Sequence, residues 1–351
     1  MSDRFMIYGA TGYTGKLVAR TAKALGMRPL LAGRNEARLK AIAAQHGFEY
    51  QAFDLDEPDA LDAGLTQVDV VLHIAGPFSR TSGPMLDGCI RTGTHYLDIT
   101  GEIDVFEACA GRDEEAQKAG IMVMPGVGFD VVPSDCLAAH MKARMPDATE
   151  LVLGISGLGH VSQGTAKTGI EAIGGGTRIR RDGHIVPAKK PLRREIDFGE
   201  GAKASIAVGW GDVSTAWHST KIPDITVYFA SNPQVEQMAN MGRLKRWFLS
   251  RGPAQRALKK RIEQQPEGPS DAQRQKGSGL LYAEAANANG ERVRSRLRTP
   301  EGYTLTAMTA LEIVRRVCAG EAQPGFQTPS SVFGPDFITG FEGCAFHDMS
   351  A

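Results

Sequence analysis

Apolar residues in the first 150 positions fall into short runs separated by stretches of helical period. The strand-like runs are 4–8, 28–32, 49–53, 69–75, 95–99 and 121–124, and the segments 12–25, 36–46, 82–92 and 104–118 have helical character. Asp69-Val-Val-Leu-His-Ile-Ala75 is almost continuously apolar, as a strand buried on both faces requires. Strand and helix in regular alternation predict an α/β fold with a doubly wound parallel sheet of the Rossmann type.

The pattern changes after Pro146. Glu150–Ser156 reads as a strand opening a new sheet, and a glycine-rich stretch at 157–164 is expected to be flexible. A helix follows at 165–173. Asp182-Gly183 and Asn289-Gly290 are hairpin signals, the second joining strands 280–287 and 292–299. Further strands are expected at 204–208 and 225–230, a polar loop at 266–279 and a helix at 307–319. This is a second, mixed α/β domain with a largely antiparallel sheet. The expected division is 1–148 for the Rossmann domain and 149–324 for a substrate and dimerisation domain. A helical insertion at about 238–265 interrupts the latter, and a tail, 325–351, is expected to pack back on the Rossmann domain. A length of 351 residues suits two cores.

Composition leaves the fold class unchanged but narrows the partners. The chain is 42% hydrophobic and 23% charged with zero formal net charge. Residues 1–150 hold 14 Lys and Arg against 21 Asp and Glu, a net of −7, and the remainder holds 26 against 19, a net of +7. The acidic first half argues against nucleic-acid binding. The five cysteines, Cys89, Cys109, Cys136, Cys318 and Cys344, form no C-x-x-C pair, which fits thiols in a reducing cytoplasm. The chain enters a strand at once, so no signal peptide is expected, and no apolar run approaches the ~20 residues of a membrane helix.

The chemistry begins at the first strand-to-helix turn. Gly9, Gly12 and Gly15 are spaced G-x-x-G-x-x-G in Gly9-Ala-Thr11-Gly-Tyr13-Thr14-Gly15. Glycines let backbone approach an anion, and the helix behind them presents N–H groups and its positive end to a diphosphate. At the end of the second strand, Arg34-Asn35 stands where an acid would bind the ribose hydroxyl of NAD, and no Asp or Glu lies between Gly26 and Asn35. Arg34, with Arg38 one turn later, implies the 2′-phosphate of NADP. Asp54, after the third strand, either flanks the adenine or, like Asp56 and Asp59, caps a helix. The turn Ala75-Gly76-Pro77-Phe78 lies at a carboxyl end, where ligands of such sheets bind; Phe78 packs near the nicotinamide or is a simple hydrophobic contact.

Tyr96, Asp98 and Glu102, at alternating positions with Thr100, are candidates for proton transfer. An edge strand with a wet face, or Asp98 and Glu102 as helix caps, is an equal alternative. Phe129 and Asp130, in the turn after the sixth strand, and Lys167 are candidate substrate contacts. The eight histidines show no ligand spacing, so no metal is expected, and His73 is read as a core histidine. No G-x-S-x-G elbow or P-loop occurs. Within 243–261, Leu244, Trp247, Phe248 and Leu258 mix with many Lys and Arg, and Gly252-Pro253 divides the segment into two helices. A solvated basic face is one reading; a membrane surface or an acidic carrier protein as partner is the other.

Taken together, Gly9–Gly15, Ala32–Asn35, Ala75–Phe78, Tyr96–Glu102 and Gly128–Asp135, with Gly164–Thr168, Gly209–Asp212 and Gly325–Pro329, resemble the saccharopine dehydrogenase-like oxidoreductases. That family includes trans-acting enoyl reductase-like proteins. The resemblance implies NADPH as cofactor and hydride transfer to a C=N, C=C or C=O bond of a small-molecule or acyl substrate, in a protein expected to be a homodimer. An NADP-binding sensor, or a partner-binding protein without catalysis, is the alternative.

Overall fold

A computed structural model describes residues 4–349 except 158 and 160. Among these residues the strands form two sheets, one of seven strands and one of nine. The chain divides into two compact units, Met1–Val132 with Tyr303–Val332, and Pro133–Gly302 with Phe333–Ala351. The boundary therefore falls at 132/133 rather than at 148.

The first unit runs β1 (Phe5–Tyr8), α1 (Tyr13–Ala24), β2 (Leu30–Gly33), α2 (Glu36–His46), β3 (Glu49–Ala52), α3 (Pro58–Leu65), β4 (Val70–His73), α4 (Phe78–Thr92), β5 (His95–Asp98), α5 (Ile103–Ala110), α6 (Asp113–Ala119) and β6 (Met122–Met124). The second follows with α7 (Val132–Arg144), β7 (Ala148–Ser156), α8 (Gln163–Ala172), β8 (Arg178–Arg181), β9 (His184–Pro187), β10 (Arg193–Asp197), β11 (Ala202–Ala207), α9 (Asp212–Thr220), β12 (Asp224–Ala230), α10 (Pro233–Ala239), α11 (Arg243–Leu249), α12 (Gly252–Ile262), α13 (Asp271–Lys276), β13 (Ser278–Asn287) and β14 (Arg292–Pro300). The chain then returns with α14 (Gly302–Arg316), β15 (Gly325–Phe326) and α15 (Pro329–Phe333), and ends in β16 (Ala345–Met349).

The first sheet is parallel throughout, in the order β15-β6-β5-β4-β1-β2-β3. Every residue of β1 and β4 is buried, which is why both read as unbroken apolar runs. Ile7 pairs with Leu31 on one side and Leu72 on the other, at the centre of the core. β5 lies between β4 and β6, which overturns the edge-strand alternative for residues 95–99. The segment 104–118 is two helices, broken at Gly111-Arg112. The helix expected at Ser82 begins at Phe78 and takes Pro84 into its interior, where one backbone donor is lost. Asp54 caps no helix: α3 starts from Glu57, with a proline in its first turn.

The second sheet runs β10-β11-β12-β7-β13-β14-β16, with β8 paired to β12 and to β9. It is antiparallel except where β7 meets β12. Asp182 and Gly183, both left-handed, make the β8–β9 turn that their dipeptide signals. The Asn289-Gly290 connection is longer than a two-residue turn: the Asn287 side chain accepts from the N–H groups of Asn289 and Glu291, both at 3.1 Å. The buried carboxylate of Glu284 holds Arg292, Arg294 and the Tyr282 hydroxyl at 2.5, 2.7 and 3.0 Å. Leu158 and His160, within the stretch expected to be flexible, lie outside the described residues, as do the last two residues of the tail. That tail divides: β15 joins β6 in the first sheet, whereas β16 joins β14 in the second.

Candidate functional site

The carboxyl ends of β1, β4, β5 and β6 gather the chemistry of the first unit. After β1 the chain turns tightly at Gly9, whose φ is 96°. A Cβ there would stand 2.7 Å from the Ala75 nitrogen, so Gly9 is what lets the β1 and β4 turns lie side by side. A Cβ on Gly15 would collide with the Gly9 carbonyl, so this glycine seats α1 against the turn. Gly12 is exposed and its Cβ position is open apart from the Gly9 oxygen at 3.6 Å. No side chain caps α1, and its first turn holds no acid. Thr11, Tyr13 and Thr14 are half-buried around it. An uncapped helix end beside a glycine that leaves room above it is a fitting cradle for a diphosphate.

Arg34, Asn35 and Arg38 are exposed at the end of β2. Asn35 caps α2 by accepting from the Arg38 N–H at 3.0 Å. The Arg34 guanidinium lies 4.0 Å from the Asp54 carboxylate, which brings these two candidates together at the β2–β3 end. They fit the ribose and adenine end of a dinucleotide.

One strand further, the Gly76-Pro77 bond is cis, and the turn feeds α4. The Phe78 ring is only 8% exposed and packs edge-on to His73 at 5.4 Å, so it belongs to the core. Its backbone N–H donates to Glu102 Oε1 at 3.0 Å. Glu102 thereby ties the loop after β5 to the turn after β4 and sets a carboxylate at the positive end of α4. His73 is fully buried and held neutral, its basicity pushed down to about 3 by burial. Thr81 Oγ1 donates to the Ala75 carbonyl at 2.7 Å, so it accepts from His73 Nε2 at 3.0 Å.

Tyr96 and Asp98 are also fully buried. The Tyr96 hydroxyl donates to Asp98 Oδ2 at 2.5 Å, and Asp98 Oδ1 accepts from the N–H groups of Thr100 and Gly126, each at 2.9 Å. Burial raises the Asp98 carboxyl to about 6 against these hydrogen bonds, which lower it. Asp98 thus clamps the loops after β5 and β6. Asp130 stands in the second of these loops, half-buried, with its carboxylate 3.0 Å from the point a Cβ on Gly101 would occupy. Burial pushes this carboxyl up to about 7. Phe129 is 5% exposed and donates its N–H to Thr306 Oγ1 at 3.0 Å.

The last bond involves residues absent from the sequence-derived candidates. α14 returns to the first unit and packs on this loop: Thr306 sits over Gly128, and Thr309 donates to the Val127 carbonyl at 2.8 Å. At the start of α14 the Tyr303 ring meets Tyr13 edge-on at 5.1 Å, beside the glycine turn. Lys167 is in α8 of the second unit, with its ammonium 2.8 Å from Glu263. Among the described residues no group of three or more His, Cys, Asp or Glu could hold a metal ion, and no helix is long and apolar enough to cross a membrane.

Residues 5–124 match the family model of the saccharopine dehydrogenase NADP binding domain. The trans-acting enoyl reductase of Mycobacterium leprae (strain TN) is 34% identical over 151 residues, spanning 40% of this chain and 35% of that protein. The trans-acting enoyl reductase of Mycobacterium bovis (strain BCG / Pasteur 1173P2) is 31% identical over 189 residues, 48% of this chain and 44% of its own length. The chain thus spans less than half the length of these relatives. Apo saccharopine dehydrogenase (L-Glu forming) from Saccharomyces cerevisiae superposes with a TM-score of 0.64 at 12% identity, covering 99% of both chains, a likeness of fold. Residues 5–124 thus match a saccharopine dehydrogenase NADP binding domain, and the chain shares the fold of saccharopine dehydrogenase.

Proposed function

We propose that the protein is an NADP(H)-dependent oxidoreductase acting on a C=C, C=N or C=O bond of a small-molecule or acyl substrate. The observation that carries this reading is the assembly of the glycine turn, the Ala75–Phe78 turn and the carboxyl groups of Glu102 and Asp130 at one edge of one sheet. Bound NADPH would supply a hydride. The N–H groups of the glycine turn and of α1 hold the diphosphate, Arg34 and Arg38 hold the 2′-phosphate, and Gly76 admits the nicotinamide ribose.

Asp130 is the residue to which we assign proton transfer. Burial raises its carboxyl to about 7, so a substantial fraction holds a proton near neutrality and can donate where a reduced bond needs one. Glu102 orients the Ala75–Phe78 turn through the Phe78 N–H. Tyr96 and Asp98 are positioning residues, since their polar atoms hold each other and the two loops. An acyl C=C bond is the first substrate class to test, because the relatives carry the name enoyl reductase. A reducing cytoplasm suits the five cysteines, none of which is in a disulfide.

NADPH oxidation should be followed over panels of enoyl thioesters, imines and ketones, with the wild type beside Asp130→Asn. Turnover of one class, lost in the variant, is the expected result. NADPH binding without turnover of any class would favour the sensor, and absence of NADPH binding would end the proposal.

A further inference from the structure

Helices α11 and α12 carry an unusual surface. Between residues 243 and 262 the chain has eight Lys and Arg and no Asp or Glu. Leu244, Trp247 and Phe248 are 85%, 57% and 62% exposed. Their spacing, i, i+3 and i+4, puts all three on one face of α11. α12 differs: Leu258 and Ile262 are half-buried, Gln255 donates to the Ile170 carbonyl at 3.5 Å, and Lys259 pairs with Glu171, so this helix is seated on α8. α11, next to this seated helix in the chain, keeps its apolar face outward. Across α11, α12 and the turn between them Lys245, Arg251, Arg256, Lys260 and Arg261 are exposed, and the Arg251 guanidinium lies 4.1 Å from the centre of the Trp247 ring.

Three adjacent large apolar side chains in water are costly unless something covers them. We infer that α11 and α12 form a docking surface for an anionic phospholipid bilayer, with Leu244, Trp247 and Phe248 entering the headgroup boundary and the flanking Lys and Arg meeting lipid phosphates. The charge calls for an anionic occupant. Chemistry selects lipid: the three apolar side chains are largely exposed on one helix face, and Trp and Phe among Lys and Arg suit the bilayer interface. Cations on long stems reach phosphates while their methylenes lie along the acyl boundary.

Flotation of the full chain with vesicles of phosphatidylcholine alone, and of phosphatidylcholine mixed with phosphatidylglycerol, tests this surface. Binding should require phosphatidylglycerol and weaken with salt. K260Q/R261Q should lower partitioning by roughly fivefold for each charge removed. W247A/F248A should lower it by roughly tenfold or more, with circular dichroism reporting that the chain is still folded. Brominated phospholipids should quench the tryptophan emission of the unaltered protein, a readout that needs no variant. Equal binding to both vesicles, no binding, or binding unchanged in folded variants would overturn the inference. So would capture by an acidic acyl carrier protein in the absence of vesicle binding.

Discussion

Asp98 uses its two oxygens on three donors, the Tyr96 hydroxyl and the N–H groups of Thr100 and Gly126, all out of contact with water. Removing the acceptor is therefore worse than neutralising it. Asp98→Ala should destabilise the fold by roughly 3–5 kcal/mol, and Asp98→Asn, which keeps an acceptor oxygen, by roughly 1–2 kcal/mol, in urea unfolding. Asp130 gives a test in pH. Its folded carboxyl is raised to about 7, so the native state holds a proton that the unfolded chain releases near pH ~4. The stability linked to that proton is complete below the unfolded value and is lost as pH rises to about 7. Measured as Tm, the wild type should lose ground against Asp130→Asn across this interval and run parallel to it above. Arg34→Ala should weaken NADPH by roughly tenfold or more and leave NADH little changed in fluorescence titration. At this scale the sequence was legible where backbone geometry follows short spacing, as for the turn at Gly9 and Gly15. The Tyr96–Asp98–Glu102 alternation could be read as a wet face or a buried one, because only the strand order puts β5 inside the sheet.

The elements depend on contacts that local patterns do not carry. α14 meets the 127–130 turn through Thr306 and Thr309, 177 residues away in the case of the Phe129 bond. A Cβ on Gly128 would stand 2.9 Å from Thr306 Cγ2. Gly128→Ala should cost roughly 1–3 kcal/mol. Thr306→Ala removes that methyl together with the Phe129 hydrogen bond, so the double variant should be less destabilised than the two single losses added together. Tyr303 and Thr306 gave no signal in the sequence, since neither belongs to a spaced motif and both act only where the chain returns. The split of 104–118 into α5 and α6 was hidden for a nearer reason: the helical pattern continues through Gly111-Arg112, and only the backbone there departs from it.

Across the whole molecule, alternation of strand and helix predicted the parallel sheet, and the two hairpin dipeptides predicted much of the antiparallel one. The interleaving of the units was less legible, because a tail of 27 residues carries no mark of where it divides between two sheets. The first unit depends on its late segment: Leu305, Ala310, Leu311, Ile313 and Val314 of α14 are fully buried. A chain ending at Gly302 should lose its cooperative melting transition and NADPH binding, which calorimetry and titration would show. The charge asymmetry also resolves in the fold. Part of the excess in the second half neutralises Glu284, and part is concentrated on α11 and α12.

The return of the chain also sets a schedule for synthesis. The first 132 residues leave the ribosome with β6 still lacking its β15 neighbour and with the site for α14 empty, and the residues that complete this unit end at Val332. At roughly 5–20 residues per second, the intervening 200 residues take about 10–40 s to appear. For that interval a nascent parallel sheet presents an unpaired strand and an uncovered apolar surface. The cofactor-binding unit is thus completed late in translation.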